Sequence, residues 1–414
     1  MIKSLFRQMW NQRQANVWVW AELIVVLVLL WYAVDLVYNY EASARQPKGY
    51  DTENVFDIKL NIKPALQNDS LVMSHSTDYL EQIYNLIRQY QGVEEACFYY
   101  GTIPYTDDTQ FEGYAPHSDS THLVNCFIRY VSPTYFNVFR LQPLSGSFDE
   151  THWDKNEYPM PALMSVTLSD SLFSGRSGVG ETCFNPYFLN SPYPETNYKV
   201  MAVLPAHKTD DYERYEPFIY LPSPPLTYWH HIAVRVTPDA VSGFTERFIK
   251  EMQGKLAIGP YYLYDINSYA DMKEAFDIEQ GTVNYLNTTY AVIVFFIFNI
   301  FLGMLGTFWF RTRKNRSEIA LRMTLGCSKM DIFGHYTLEG FILLGVAAVP
   351  AILICLNMQV VDLTVHTLME PTFGRFIFCF MLAVLLLAVI IFLGIYFPAR
   401  KAMRIEPAEA LHNE

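Results

Sequence analysis

Four long apolar runs divide the chain: Val17–Tyr38, Tyr290–Phe310, Leu338–Met358 and Phe376–Phe397, each 21 or 22 residues long. A helix of 22 residues rises about 33 Å, which matches the hydrocarbon core of a bilayer. Trp18, Trp20, Trp31, Tyr32, Tyr38 and Tyr40 lie toward the two ends of the first run, where amphipathic rings sit at headgroup level. Ala42-Ser43-Ala44 resembles a signal-peptidase site, but the run is longer than a signal core, which favours an uncleaved anchor. Pro350 falls inside the third run and predicts a kink. Asp35 and Glu339 each lie about a turn from an interface, and the expectation is that both reach out to it.

Between the first and second runs the periodicity changes. Val55–Ile62 alternates as a strand, Thr77–Tyr90 places Leu80, Ile83, Tyr84 and Ile87 at helical spacing, and Val93–Tyr100 returns to strand character. The same order recurs in His231–Val236, Ala240–Met252 and Tyr261–Ile266. Two strand–helix–strand units around a different middle predict a split α/β domain with an inserted, mainly-β lobe at about 131–225. Tyr269–Leu286 reads as a helical stalk leading into the second span, and Ile2–Gln14 as an amphipathic helix lying in the membrane interface.

The fold class that follows is an α-helical membrane protein with four transmembrane helices and a large α/β domain made of a split βαβ lobe and an inserted mainly-β lobe. The segments are an interfacial helix at 1–16, spans at 17–38, 290–310, 338–358 and 376–397, the large domain at 39–289, a loop at 311–337, a short loop at 359–375 and a tail at 398–414.

Charge orients this arrangement. The whole chain carries a net charge of −12, which leaves no basic face for nucleic acid. From Asn39 to Tyr285 there are 17 Lys/Arg against 32 Asp/Glu. The other polar stretches are basic: Lys3, Arg7 and Arg13; Arg311, Arg313, Lys314, Arg316, Arg322 and Lys329; then Arg400, Lys401 and Arg404. Lys/Arg near spans stay cytoplasmic, so both termini and 311–337 are read as inside. The acidic domain and the 359–375 loop, with no Lys/Arg before Arg375, are read as outside.

Catalytic chemistry is not legible. No GxxxxGK[ST] phosphate loop is present, and Gly175-Arg176-Ser177-Gly178-Val179-Gly180 fits neither GxSxG nor GxGxxG. The histidines include no HExxH, and His230-His231 reads as a strand start. Asp210-Asp211-Tyr212-Glu213-Arg214-Tyr215-Glu216 reads as a solvated loop rather than a cation site. Cys97, Cys126 and Cys183 leave room for one disulfide and one thiol, whereas Cys327, Cys355 and Cys379 read as small apolar residues. No catalytic, cofactor-binding or metal residue is assigned, and the chain is expected not to be an enzyme.

The stretch Ser317-Glu318-Ile319-Ala320-Leu321-Arg322-Met323-Thr324-Leu325-Gly326-Cys327-Ser328-Lys329-Met330-Asp331-Ile332, followed by Leu338-Glu339, resembles the EIGxRxAxGAxxxDI…LE signature of MacB/FtsX-like ABC transporter permeases. Pro398-Ala399-Arg400-Lys401-Ala402 through Pro407-Ala408-Glu409-Ala410-Leu411 is similar to that family's PARRAxxxxPxxAL ending. Val131-Ser132-Pro133-Thr134-Tyr135-Phe136 resembles its VSPxYF, and Leu168-Ser169-Asp170-Ser171-Leu172-Phe173 with Gly178-Val179-Gly180-Glu181 its LAxxLF…GK segment. Ala320, Cys327 and Glu181 depart from the usual Gly, Ala and Lys.

The resemblance implies a permease of the mechanotransmission type in the bacterial inner membrane, with its large domain periplasmic. It implies a dimer, of identical or paralogous chains, bound to a separate ABC ATPase that holds the ATP, with no cofactor on this chain. In MacB-type members the ATPase is fused; here Met1 lies 16 residues before the first span, so no fused ATPase is expected. Glu318, Ile319, Arg322, Leu325, Gly326 and Lys329 would form the ATPase-coupling site, Gly326 ending its helix. Export of a periplasmic peptide, drug or lipoprotein, with a possible periplasmic adaptor, is the leading role. An FtsX-like regulator of a cell-wall hydrolase is the alternative, and a membrane-anchored receptor without ATPase the alternative of another class. The orientation predicts that reporter fusions at Gly113 and Asn315 report opposite compartments; the same compartment for both would contradict it.

Overall fold

A computed structural model describes residues 13–67, 69–188, 197–314, 326–361, 363, 368–369 and 372–402. The chain divides into two units. One comprises Met1–Ala44 with Val283–Glu414, and the other Arg45–Thr282. The predicted interfacial helix falls outside the described residues, apart from its last positions.

Helix α1 (Arg13–Ala44) belongs to the first unit. The second unit then runs β1 (Val55–Ile62), α2 (Ser70–Ser74), α3 (Ser76–Arg88), β2 (Val93–Gly101), β3 (Phe111–Pro116), β4 (Val124–Val131) and α4 (Tyr135–Val138). It continues with β5 (Ser145–Gly146), β6 (Met160–Ser165), α5 (Val166–Phe173), β7 (Thr182–Phe184), β8 (Asn197–Leu204), β9 (Phe218–Pro222) and β10 (His231–Val236). Helix α6 (Phe244–Met252), β11 (Tyr261–Ser268) and α7 (Tyr269–Glu279) complete it. Helix α6 begins four residues later than the periodicity predicts, at Phe244, after an N-cap Gly243 whose φ is +63°.

The strand–helix–strand units β1–α3–β2 and β10–α6–β11 interleave. Their strands lie in the order β11-β1-β10-β2 with each neighbour antiparallel, the split βαβ arrangement. Leu80, Ile83 and Ile87 of α3 and Phe244, Phe248 and Met252 of α6 cover one face, packed on Ile58, Ile232, Val234 and Ile266. These helix positions recur every three or four residues and make a single apolar stripe.

The middle of the domain closes on itself. Strand β4 pairs β3, β3 pairs β7, β7 pairs β8, β8 pairs β6, β6 pairs β9, and β9 returns to β4. Every strand of this ring supplies a side chain to one cluster, among them Tyr114, Ile128, Ala162, Cys183, Val200 and Ile219, and α5 adds Leu168, Leu172 and Phe173. The ring takes in β3 and β4, so the inserted lobe begins at β3 rather than at residue 131.

The VSPxYF-like segment bolts the ring to the open sheet. Ser132 N–H donates to Phe98 O (2.9 Å), Ser132 Oγ accepts from Phe98 N–H (3.1 Å), and Thr134 Oγ1 donates to Ala96 O (2.7 Å). Tyr135 accepts from the buried Arg129 at 2.6 Å. Cys97, Cys126 and Cys183 are buried free thiols, held above the usual range by burial.

The first unit resumes with α8 (Thr282–Lys314), α9 (Lys329–Val360) and α10 (Phe373–Ala402). Together with α1, these helices are long and apolar enough to cross a membrane. Tyr269–Leu286 is not one helix: the chain breaks at Gly281, with φ +73°, between α7 and α8. Leu23, Leu27 and Trp31 of α1 pack with Leu343, Ala347 and Ala351 of α9 and Cys379, Ala383 and Leu387 of α10. Small residues at these contacts bring helix backbones close, the usual basis of packing in lipid. Among the described residues, helix α8 adds the partly buried Ile297, Ile300 and Phe301, and leaves Val294, Phe295 and Phe298 exposed.

Phe248 is fully buried under the open sheet. Phe248→Ala is expected to destabilise the α/β domain by about 3–5 kcal/mol, seen as a fall of about 6–20 °C in its thermal midpoint in the purified full chain. An unchanged midpoint would contradict the packing described.

Candidate functional site

Asp35 does not reach out to water. It is 5% exposed, as is Arg375, and the two meet in a two-pronged ion pair between α1 and α10. Arg375 Nε donates to Asp35 Oδ1 at 2.8 Å and Nη2 to Oδ2 at 2.6 Å. The remaining nitrogen, Nη1, donates to Asn39 Oδ1 (3.4 Å) and Met369 O (3.2 Å). The planar guanidinium fork suits such bidentate pairing. Helix α10 presents Arg375 here because Thr372 Oγ1 accepts its backbone N–H at 3.2 Å, capping the first turn. Glu339 is likewise buried rather than at the surface.

At the start of α9, Gly326 adopts φ +95°, which favours glycine. Ser328 and Asp331 form a capping box: Ser328 Oγ accepts from Asp331 N–H (3.2 Å), and the Asp331 carboxylate accepts from Ser328 N–H (3.1 Å). Of the six coupling residues read from sequence, Glu318, Ile319, Arg322 and Leu325 lie outside the described residues. Gly326 is the turn just described, and Lys329 opens α9.

The α/β domain holds a second charged assembly. Asp211 accepts from Lys48, four residues beyond the end of α1, at 3.2 Å, and from Lys273 on α7 at 2.7 Å. Lys273 also reaches Asp277 (3.4 Å), and Lys48 donates to Tyr105 Oη (2.6 Å). The segment after Arg45 is threaded along the β8–β9 loop: Lys208 N–H donates to Lys48 O (3.2 Å) and Tyr215 to Pro47 O (3.0 Å). At Gly49, with φ +88°, a Cβ would stand 2.3 Å from Ala206 O, so only glycine fits. Arg235 then gathers the carbonyls of Asp51 (2.8 Å), Glu53 (2.7 Å) and Val138 (2.6 Å).

Within the Asp210–Glu216 run, Asp211 is therefore not solvated, although Glu213 is exposed. Asp211 is buried, and burial, with Glu213 adding to it, raises the Asp210 carboxyl to about 6. Burial lowers the neighbouring His207 to about 3, which keeps it neutral. Among the described residues no group of His, Cys, Asp and Glu is placed to hold a metal ion.

Both charged assemblies escape a reading of single residues. The ion pair left a trace: Arg375 is the lone base of the 359–375 stretch, and Asp35 belongs to the same predicted membrane face. Asp35→Leu strands a buried guanidinium and is expected to cost about 3–5 kcal/mol. Asp35→Leu combined with Arg375→Leu removes both charges and should recover most of that loss in the thermal midpoint of the purified chain. Additive losses would show that the two side chains act independently.

Residues 52–248 match the family model for the MacB-like periplasmic core domain, and residues 290–407 that for the FtsX-like permease C-terminal region. No curated protein sequence matches the chain. Among solved structures, the chain is similar to the periplasmic region of MacB from Actinobacillus actinomycetemcomitans. The identity is 10% and the TM-score 0.36, over 57% of this chain and 98% of that one. It is also similar to the extracellular domain of the noncanonic ABC-type transporter YknZ from Gram-positive bacteria, at 12% identity and a TM-score of 0.33, over 50% of this chain and 100% of that one. The two family models cover, in order, the α/β domain and the helices that follow it, and the chain belongs to the MacB/FtsX-like ABC transporter permease family.

Proposed function

We propose that this permease passes the motion of a separate cytoplasmic ABC ATPase to its α/β domain on the other side of the inner membrane, and so extrudes a periplasmic substrate. Membership of the family carries an ATPase partner and oligomerisation in general terms. The observation that carries the finer reading is Asp211. One carboxylate is bonded to Lys48, four residues after α1, and to Lys273 on α7, the helix that precedes α8. Displacement of either connection pulls on the β8–β9 loop and hence on the ring. A pair of ionic bonds to one buried group resists shear better than exposed pairs, which are screened by solvent.

In this reading the chain acts as a dimer with both termini cytoplasmic, and the ATPase docks on the face formed by Glu318, Arg322, Leu325 and Lys329. Glu318, Arg322 and Leu325 are spaced by four and three, so a helix ending at Gly326 places them on one side; Lys329 lies past that turn and contributes from the first turn of α9. ATP is held by the partner. An apolar cavity of about 410 Å³ between α1 and α8, lined by Leu29, Tyr32, Leu36, Tyr285, Val292 and Phe296 among others, supports a substrate with a hydrophobic part, such as a lipoprotein, an apolar peptide or a drug.

Arg322→Glu replaces a two-pronged partner for a carboxylate by a like charge, a cost of about 2–5 kcal/mol at a desolvated contact. Five Lys/Arg remain in 311–337 to hold topology. The variant is expected to insert and express as the native chain does while losing ATPase co-purification and coupled hydrolysis. Retention of the ATPase with full coupled activity would overturn this assignment of the docking face.

A further inference from the structure

The open sheet has a gap in it. Strand β10 lies between β1 and β2, but its pairing with β1 stops at Ile58↔Ile232, and its pairing with β2 begins at Tyr99↔His231. Strand β1 runs on to Ile62, paired among the described residues only with β11 on its far side, and β2 runs on to Gly101, paired there with β4. Neighbouring strands are spaced by about 4.8 Å, so β1 and β2 flank a slot one strand wide, about 10 Å across. The chain leading into β10 does not fill it. His230 N–H donates to Thr227 O in a turn, and Leu226 and Tyr228 pack on the helix-covered face.

The slot is a cavity of about 730 Å³, within the range of ligand sites. Its floor is set by His230 and His231. Burial lowers His230 to about 4 and so keeps it neutral, and Ser223 fixes its ring (2.8 Å). His231 is held by the buried Asp57 at 3.1 Å. Among the described residues, the slot-side edge of residues 59–62 has no strand beside it. Two aromatic side chains flank the opening, Trp229 at 78% and Tyr264 at 64% exposure.

We propose that this slot takes an extended peptide segment of a partner or substrate, which adds in the line of β10 and bonds through its backbone to β1 and Tyr100–Gly101. Unpaired strand edges are templates for such addition, with main-chain bonds giving affinity and alternate side chains giving selectivity. About four residues fit along residues 59–62 at 3.3 Å each. Trp229 and Tyr264 would cover apolar or aromatic side chains of the segment. A sugar or a small drug would leave the two backbone edges unpaired, which is why a peptide is favoured. The inference stands on the α/β domain alone and does not depend on the ATPase reading.

The test is panning of a random linear decapeptide phage library on the full-length permease in nanodiscs, with enriched sequences made as free peptides and titrated. Thr109→Trp places a bulky side chain at the exposed edge of the slot and should weaken binding at least tenfold. N-methylation of alternate peptide nitrogens should do the same, whereas Tyr187→Ala, on the ring lobe, should change nothing. Peptides that bind Thr109→Trp or their N-methylated forms as tightly as the originals would overturn the proposal. So would failure to enrich any peptide that Thr109→Trp rejects.

Discussion

The buried pair of Asp35 and Arg375 constrains the helical unit more than any other contact described. A charge away from water is costly, and in hydrocarbon there is no solvent to relieve it. Each side chain is therefore confined to where the other is. The bidentate geometry, with Asn39 and the Met369 carbonyl taking the remaining donor, fixes the axial position of α10 against α1 and its rotation. With these two helices registered, the small residues of α9 and α10 can meet the Leu23–Leu27–Trp31 stripe of α1. Helix α8 keeps Val294, Phe295 and Phe298 exposed, open to lipid or to another chain.

The α/β domain uses charge differently. Its apolar clusters make the sheet and the ring stable, whereas Lys48, Asp211, Lys273 and Arg235 decide where the entering and leaving segments attach. Both attach to the β8–β9 side of the ring. The VSPxYF-like segment fastens β4 to β2 through Ser132 and Thr134.

Much of this was legible in sequence because it follows from local periodicity. Four apolar runs of spanning length give four helices, and the alternation of Val55–Ile62 and the spacing of Leu80, Ile83 and Ile87 give a strand and a helix by themselves. Closure of the ring was not legible, since it rests on the parallel pairs β4–β9 and β6–β8, set by packing between distant segments. Asp211 was misread for a similar reason. In a run of seven mostly charged residues it looks solvated, and only the arrival of Lys48 and Lys273, 163 and 62 positions away in the chain, makes burial tolerable. Asp35 was read as reaching out to the interface because a carboxylate considered alone in an apolar helix has no better option. The Ser317–Ile332 motif identified the family through a pattern of residue types, and the partner-binding roles of Glu318 and Arg322 remain part of the proposal.

The central claim is that nucleotide state in the cytoplasm moves the α/β domain. The most direct measurement is a spin–spin distance between the two copies of the permease in its complex with the ATPase, with labels at Ser177→Cys, an exposed ring-lobe position, in a Cys327→Ser background. The account predicts different distance distributions for the nucleotide-free and ATP-trapped complexes, and loss of that difference when Asp211→Ala cuts the link to Lys48 and Lys273. Identical distributions in the two nucleotide states would contradict it.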